Sequence, residues 1–324
     1  MRVPIVAASV HAHPPDVTLP GPVVTVVGPT AAGKSAVSIA LAAEFGGEVV
    51  NVDSMQLYQG MDVGTAKLTV AERAGIAHHV LDIWAVTETA SVAEYQRRAR
   101  DAIADILSRG ALPLLVGGSG LYLRAVCEDF EFPGTDPGLR AELEAQLAEH
   151  GPAVLHQRLA ALDPQAADRI LPSNGRRIVR ALEVVTLTGE SFTAKLPDPA
   201  PLYRTVQLGI DLAPAALDER IATRVEAMWA AGFVEEVHRL EAVGLRQGRT
   251  ASRALGYQQI LGHLAGQYDE QHARAATIQA TRRFVRRQRS WFRRDATISW
   301  LDGAAPDLIG QARAVIGRIA APSR

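Results

Sequence analysis

Val23-Val24-Thr25-Val26-Val27 runs straight into Gly28-Pro29-Thr30-Ala31-Ala32-Gly33-Lys34-Ser35, and this stretch decides the architecture. Five β-branched residues in a row suit a strand buried on both faces of a parallel sheet. The eight that follow fit G-x-x-x-x-G-K-[ST] at every fixed position, and Ala36 to Phe45 continues as an apolar helix. Strand, glycine-rich turn and helix in that order cradle phosphate: consecutive backbone N–H groups face the anion at a positive helix N-terminus. Gly28 and Gly33 let the backbone curl, Lys34 can reach phosphate oxygens, and Ser35 is placed to hold Mg²⁺. The residues thus predict a P-loop α/β core that takes a phosphorylated ligand.

Working outward, the 324 residues allow two domains, or one domain with an insertion. Hydrophobic residues make up 48% and charged residues 21%, so a large core can form and low-complexity disorder is excluded as the main state. Net charge is −1, so any affinity for nucleic acid must come from locally clustered arginines. A lone cysteine, Cys127, excludes a disulfide framework and a multi-cysteine zinc module, and fits a reducing, cytoplasmic location. No run approaches the roughly 18 apolar residues of a membrane span. Residues 1–20, rich in Pro, His and Ala, read as a disordered extension.

A second strand over Glu48–Val52 delivers Asp53-Ser54-Met55-Gln56 to the edge where open α/β sheets place their sites. Asp53 reads equally as a catalytic carboxylate or as a turn cap. The polar loop Gly60–Lys67 suits a substrate wall. His78-His79 raise a metal reading, but adjacent strand residues point to opposite faces and no further ligands follow at zinc spacing. Val80–Ile83 is expected to be a short strand. Ser91-Val92-Ala93-Glu94 opens a helix to about Ser108, and Leu112–Val116 is a strand ending in the second glycine turn Gly117-Gly118-Ser119-Gly120. From Glu128 the pattern turns helical until a strand at Tyr203–Gly209, which predicts an all-helical insertion over 128–202 between core segments 21–127 and 203–324. Asp136-Pro137 and Asp163-Pro164 start two of its helices. Arg176, Arg177 and Arg180 lie on one side of a third, and they suit either RNA or solvent.

Toward the C-terminus, Arg220 and Arg224 share a helix face. Glu270 to Arg294 reads as one long helix, and from Gln271 onward it carries eight arginines and no acidic residue. Ile278, Val285 and Phe292, with Phe284 and Trp291 beside them, should pack inward. Arg282, Arg286, Arg289 and Arg293 form another stripe, and its one-signed charge points to nucleic acid. Ala296–Trp300 is the expected last strand.

Six segments together carry a resemblance: Gly28–Ser35, Asp53–Gln56, Gly60–Lys67, Gly117–Leu123, Arg177–Glu183 and Gly256-Tyr257-Gln258. They resemble the tRNA dimethylallyltransferases, also called tRNA isopentenyltransferases, from about Val23 to Trp300. The resemblance implies transfer of a dimethylallyl group from dimethylallyl diphosphate to the exocyclic amine of the adenosine next to the anticodon. It implies that the P-loop, with Arg220 or Arg224, holds the donor's diphosphate rather than ATP, with Mg²⁺ near Ser35. Asp53 then matches the general base, and Ser119 touches the donor beside the scissile bond. The tRNA anticodon stem-loop would meet Asp53, Ser54, Met55, Gln56, Ser119, Arg140, Arg176, Arg177, Arg180, Arg253, Gly256, Tyr257, Gln258, Arg282, Arg286, Arg289 and Arg293. A monomer without membrane contact is expected. Ser119 stands where relatives commonly have Thr, and Leu68 and Ala77 where they have Pro; none of these removes a group the chemistry needs. A small-molecule P-loop kinase, a transferase acting on free adenine nucleotides and a nucleotide-gated RNA-binding protein share part of this pattern. None of them accounts for the arginine-rich helix together with Asp53 and the second glycine turn.

Overall fold

The computed structural model describes residues 21–130, 132–192 and 200–320, so the expected extension over 1–20 lies outside the described residues. The Val-rich stretch forms β1 (Pro22–Val27), whose last five residues are all buried. Around it stand β2 (Gly47–Asn51), β3 (His78–His79), β4 (Leu112–Gly117), β5 (Arg204–Asp211) and β6 (Ser299–Asp302), in the order β3-β2-β4-β1-β5-β6. Every pairing is parallel. After β1 the chain builds one half of the sheet and from β5 the other, so a switch point opens beside the carboxyl end of β1, where such sheets bind ligands.

Helices α1 (Lys34–Phe45), α2 (Val92–Ser108) and α3 (Gly120–Cys127) follow β1, β3 and β4; α2 is capped by Ser91, whose hydroxyl accepts from Glu94 N–H. Four more, α7 (Pro214–Ala230), α8 (Phe233–Ala242), α9 (Tyr257–Leu264) and α10 (Glu270–Phe292), lie between β5 and β6, and α11 (Leu308–Ala320) closes the chain. Strand alternation makes the main core: Val24, Val26, Leu114 and Leu208 meet Leu41 of α1, Leu217 and Ile221 of α7, Val285 of α10 and Ala312, Val315 and Ile316 of α11. Helix α2 packs Tyr95, Ala99, Ile103 and Ile106 inward.

The chain divides into two compact units, one running to Leu123 and resuming at Leu202, the other spanning Arg124–Pro201. The second is helical, with α4 (Pro137–Leu162), α5 (Pro164–Arg169) and α6 (Gly175–Thr188). Asp136 and Asp163 cap α4 and α5 through the N–H groups of Leu139 and Ala166, and α4 breaks at Gly151, whose φ of 77° leaves the helical region. Leu143, Leu155, Leu159, Ile178 and Leu182 form this unit's own core.

Three expectations change. The histidines themselves are β3, and the expected strand over Val80–Ile83 is irregular, with Val80 at φ 59° and Asp82 at φ 55°. The last strand starts three residues later than expected because its pairing with β5 begins at Ser299, opposite Leu208. Trp291 is 44% exposed and does not join the inward stripe of Val285 and Phe292.

Candidate active site

The P-loop bends as its glycines permit. Gly28 sits at φ 136° with Ile210 O so close that a Cβ would lie 2.1 Å from it, and Gly33 sits at φ 102° ahead of α1. Lys34 Nζ donates to Pro29 O at 2.8 Å. A cavity of about 950 Å³ opens beside the loop. Thr30, Ala31, Gly33, Lys34 and Ser35 line one side; Asp53, Ser54, Met55 and Gln56 come from the end of β2 and Gly117 and Ser119 from β4. Arg224 of α7 joins them, with apolar Ile221, Val225, Met228, Leu255 and Phe284. Two charged clusters on an apolar wall suit a ligand with an anionic head and a hydrocarbon tail.

Burial sets the electrostatics. It pushes the Lys34 ammonium down to about 8, against the opposing charge of Asp53 and with a smaller push from Arg224. Burial also lowers Arg224, again against Asp53. The Asp53 carboxylate therefore lies close enough to oppose the effect of burial on both cations. Asp53 Oδ1 accepts from Met55 N–H at 2.9 Å, and the Asp53 N–H donates to Asn51 Oδ1 at 2.9 Å. Oδ2 has no hydrogen-bond partner among the described residues, so it can accept a proton from a ligand. Ser119 Oγ accepts from Ser54 N–H at 3.2 Å, joining the two strand ends. Arg220 is exposed and does not line the cavity.

Two residues that the sequence did not single out hold this frame. Gln288 of α10 accepts from Thr30 N–H at 3.0 Å and donates to Gly118 O at 2.9 Å, tying the two glycine turns together. A Cβ at position 118 would meet Gln288 Nε2 at 2.2 Å, so any larger residue there would displace the Gln288 amide from Gly118 O. Glu236 of α8, buried, accepts from the N–H groups of Asp62, Val63 and Gly64 at 3.0, 2.7 and 3.1 Å, and from Tyr257 OH at 2.6 Å. Lys67, also buried, donates to Tyr58 O, Asp62 Oδ1 and Asp82 Oδ1. The Gly60–Lys67 loop is thus pinned at both ends while Gly64, Thr65 and Ala66 face the cavity.

The expected RNA contacts divide. Arg253 lines the cavity and, like Gln258, is exposed, whereas Gly256 and Tyr257 are buried, Tyr257 being committed to Glu236. In the helical unit Arg176 and Arg177 are exposed, but Arg140 and Arg180 both pair with the fully buried Glu183. The α10 stripe also differs from a free positive face: Arg289 and Arg293 reach Asp211 at 3.0 and 2.7 Å, and Arg282 and Arg286 reach Asp218 at 3.7 and 3.6 Å. On α10 the carboxylates come from a distant part of the chain, which periodicity along one helix cannot reveal. The histidines are likewise engaged, His78 Nδ1 donating to Ile76 O at 2.9 Å and His79 Nε2 to Glu48 at 2.6 Å. Among the described residues no group of three or more His, Cys, Asp or Glu could hold a metal.

A parallel sheet with a phosphate loop at its switch point, flanked by helices, defines a P-loop α/β protein whose site takes a phosphorylated ligand. Comparison with known proteins is more specific. The sequence matches the IPP transferase family over residues 56–295, and the chain belongs to that family. It is 69% identical over 296 residues to the tRNA dimethylallyltransferase of Salinispora tropica, covering 91% of this chain and 93% of that one. It is 64% identical over 285 residues to the tRNA dimethylallyltransferase of Streptomyces griseus, covering 88% and 91%. Among solved structures it is similar to the tRNA isopentenylpyrophosphate transferase of Bacillus halodurans, with a TM-score of 0.69, 37% identity and coverage of 93% and 97%. A eukaryotic dimethylallyltransferase acting on tRNA gives a TM-score of 0.79 at 27% identity, covering 91% of this chain and 78% of that one.

Proposed function

We propose that the chain transfers a dimethylallyl group from dimethylallyl diphosphate to the exocyclic amine of the adenosine 3′-adjacent to the anticodon of tRNA. The observation that carries this reading is one cavity in which a phosphate loop, Arg224, Asp53 and an apolar wall meet. The P-loop amides, Lys34 and Arg224 take the diphosphate, and the wall takes the five-carbon tail. A free base is needed at the site, so the adenosine leaves the stacked loop before it reacts. Its amine nitrogen then attacks the allylic carbon; the N–C bond forms as the C–O bond breaks, and diphosphate leaves with the electron pair. Asp53 accepts the amine proton through Oδ2. Lys34, Arg224 and the loop amides stabilise the charge that grows on the leaving group. Ser119 stands beside the scissile bond.

Mg²⁺ fits this site as a companion of the substrate rather than as a resident ion. The site offers Ser35 in the first turn of α1, with no cage of carboxylates among the described residues, and Mg²⁺ is commonly held by one or two protein oxygens, waters and substrate phosphates. When bound, it would neutralise diphosphate charge. The soluble location in the cytoplasm and the monomeric state belong to this same reading, and among the described residues no helix is long and apolar enough to cross a membrane.

The test runs three reactions in parallel: with unmodified tRNA, with AMP, and with ATP but neither acceptor. Product is followed by mass, with dimethylallyl diphosphate and Mg²⁺ in each. Gain of mass on tRNA alone is the expected result. Prenylated AMP would move the assignment to nucleotide transferases, and stoichiometric loss of ATP would move it to kinases.

A further inference from the structure

Helix α10 carries two rows of cations, and the structure neutralises only one. The row met by Asp211 and Asp218 is described above. Arg283, Arg287 and Trp291 form the second, at offsets 0, 4 and 8, which places all three within about 80° of the helix circumference, and Arg294 follows in the turn just past the helix end. All are exposed. Arg283, Arg287 and Arg294 have no carboxylate at ion-pair distance among the described residues; Arg287 instead holds its guanidinium 5.8 Å from the ring centre of Phe284.

Trp291 is the unusual member. Trp84 and Trp229 are buried, yet Trp291 keeps 44% of its surface, and its indole N–H has no hydrogen-bond partner among the described residues. It lies against the backbone at Gly120, where a Cβ would stand 2.0 Å from Nε1. Gly120 follows Ser119, and Phe284 and Arg287 line the cavity. Arg287 thus lines the cavity itself, and Trp291 stands next to it, against the residue that follows Ser119.

An aromatic plane set among unpaired guanidiniums matches single-stranded nucleic acid. Every base has a face that stacks on an aromatic ring, and the phosphates to either side pair with arginine. A duplex hides its base faces, and an acidic protein surface has no use for the indole plane. We infer that this row is the RNA-facing side of α10, with Trp291 as the platform on which an unpaired base of the anticodon loop stacks and Arg283, Arg287 and Arg294 holding the flanking phosphates. The inference rests on the proposed tRNA substrate. Extruding the adenosine leaves its neighbours without their stacking partner, and an exposed indole beside the cavity supplies a replacement.

Full-length protein is titrated with an unmodified anticodon stem-loop RNA while indole emission is recorded. Stacking quenches Trp291, so the parent should lose emission that Trp291→Phe does not. Trp291→Ala should weaken loop binding about 5- to 150-fold, the range that base–aromatic stacking gives, with the donor's dissociation constant unchanged. Arg283→Ala/Arg294→Ala should lower the salt slope of binding by about 1.4, at roughly 0.7 per phosphate of a single strand. Equal quenching in Trp291→Phe overturns the platform, whether or not Trp291→Ala folds. So does equal quenching by a fully paired RNA or by heparin, which would show a site that reads charge alone. If the parent prenylates no tRNA, the functional reading itself fails. If it does so while Trp291→Ala keeps the parent's KM for tRNA, only the platform fails.

Discussion

At the scale of single residues, the site is two buried cations beside one carboxylate, whose charge offsets part of the cost of burying them. Asp53→Asn keeps the shape and the Met55 contact on Oδ1 but cannot take up a proton. Turnover should fall by about 10²–10⁴ while the donor's dissociation constant, measured by calorimetry, stays near the parent's. Near-normal turnover would reduce Asp53 to a turn cap. Lys34 gives a pH dependence whose sign follows from burial. Its ammonium, held down to about 8, is the form proposed to meet diphosphate, and it gives way to the neutral amine as pH rises through that value. Bound diphosphate favours the charged form, so donor affinity should fall as pH climbs above about 8, and Lys34→Met should bind weakly with a flatter profile. An unchanged profile in that variant would remove Lys34 from the donor site. The motif made the place of Lys34 and Ser35 on the cavity wall legible in the sequence, because the flanking glycines fix the turn that carries them. Arg224 could not be told from Arg220 by spacing alone; the structure lines the cavity with Arg224 and leaves Arg220 exposed outside it.

At the scale of elements, the cavity wall depends on side chains that reach across the fold. Glu236 collects three consecutive amides from 172 to 174 residues away, and Gln288 reaches 258 residues back to Thr30. No local pattern signals such partners; a glutamate in the first turn of α8 looks like any other favourable charge near a helix N-terminus. Glu236→Gln keeps one acceptor oxygen and puts an amide donor against backbone donors. It should cost about 2–3 kcal/mol of stability, read from urea unfolding, with faster hydrogen exchange at Asp62, Val63 and Gly64. Parent-like exchange at those three amides would show that the loop stands without Glu236. The short elements were the least legible for a related reason. β3 is two residues long, and its pairing with Val49 and Val50, not its composition, makes it a strand. Helix α11, which had no clear signal, exists because Ala312, Val315 and Ile316 complete the main core.

At the scale of the molecule, a nearly neutral chain distributes its arginines between holding itself together and presenting charge. Asp211, at the end of β5, is 10% exposed and meets both Arg289 and Arg293. Either arginine replaced by alanine should cost about 1 kcal/mol, whereas replacing both strands the carboxylate and should cost about 3 kcal/mol, more than the two single changes together. Denaturant unfolding of the double-mutant cycle checks this, and strict additivity would count against a shared partner. The sheet and its phosphate loop were legible because a buried strand, glycines and a helix start follow one another within thirteen residues, Val23 to Ser35. The ion pairs of α10 were not, because Asp211 and Asp218 enter from another part of the chain. All of these parts serve one transfer, and the most direct measurement of it is to locate the product. Unmodified tRNA is incubated with the protein, dimethylallyl diphosphate and Mg²⁺, then digested with ribonuclease and analysed by mass spectrometry. The account predicts the added group on the adenosine 3′-adjacent to the anticodon and one diphosphate released per group transferred; a group on any other nucleoside, or none on RNA while ATP is consumed, would contradict it.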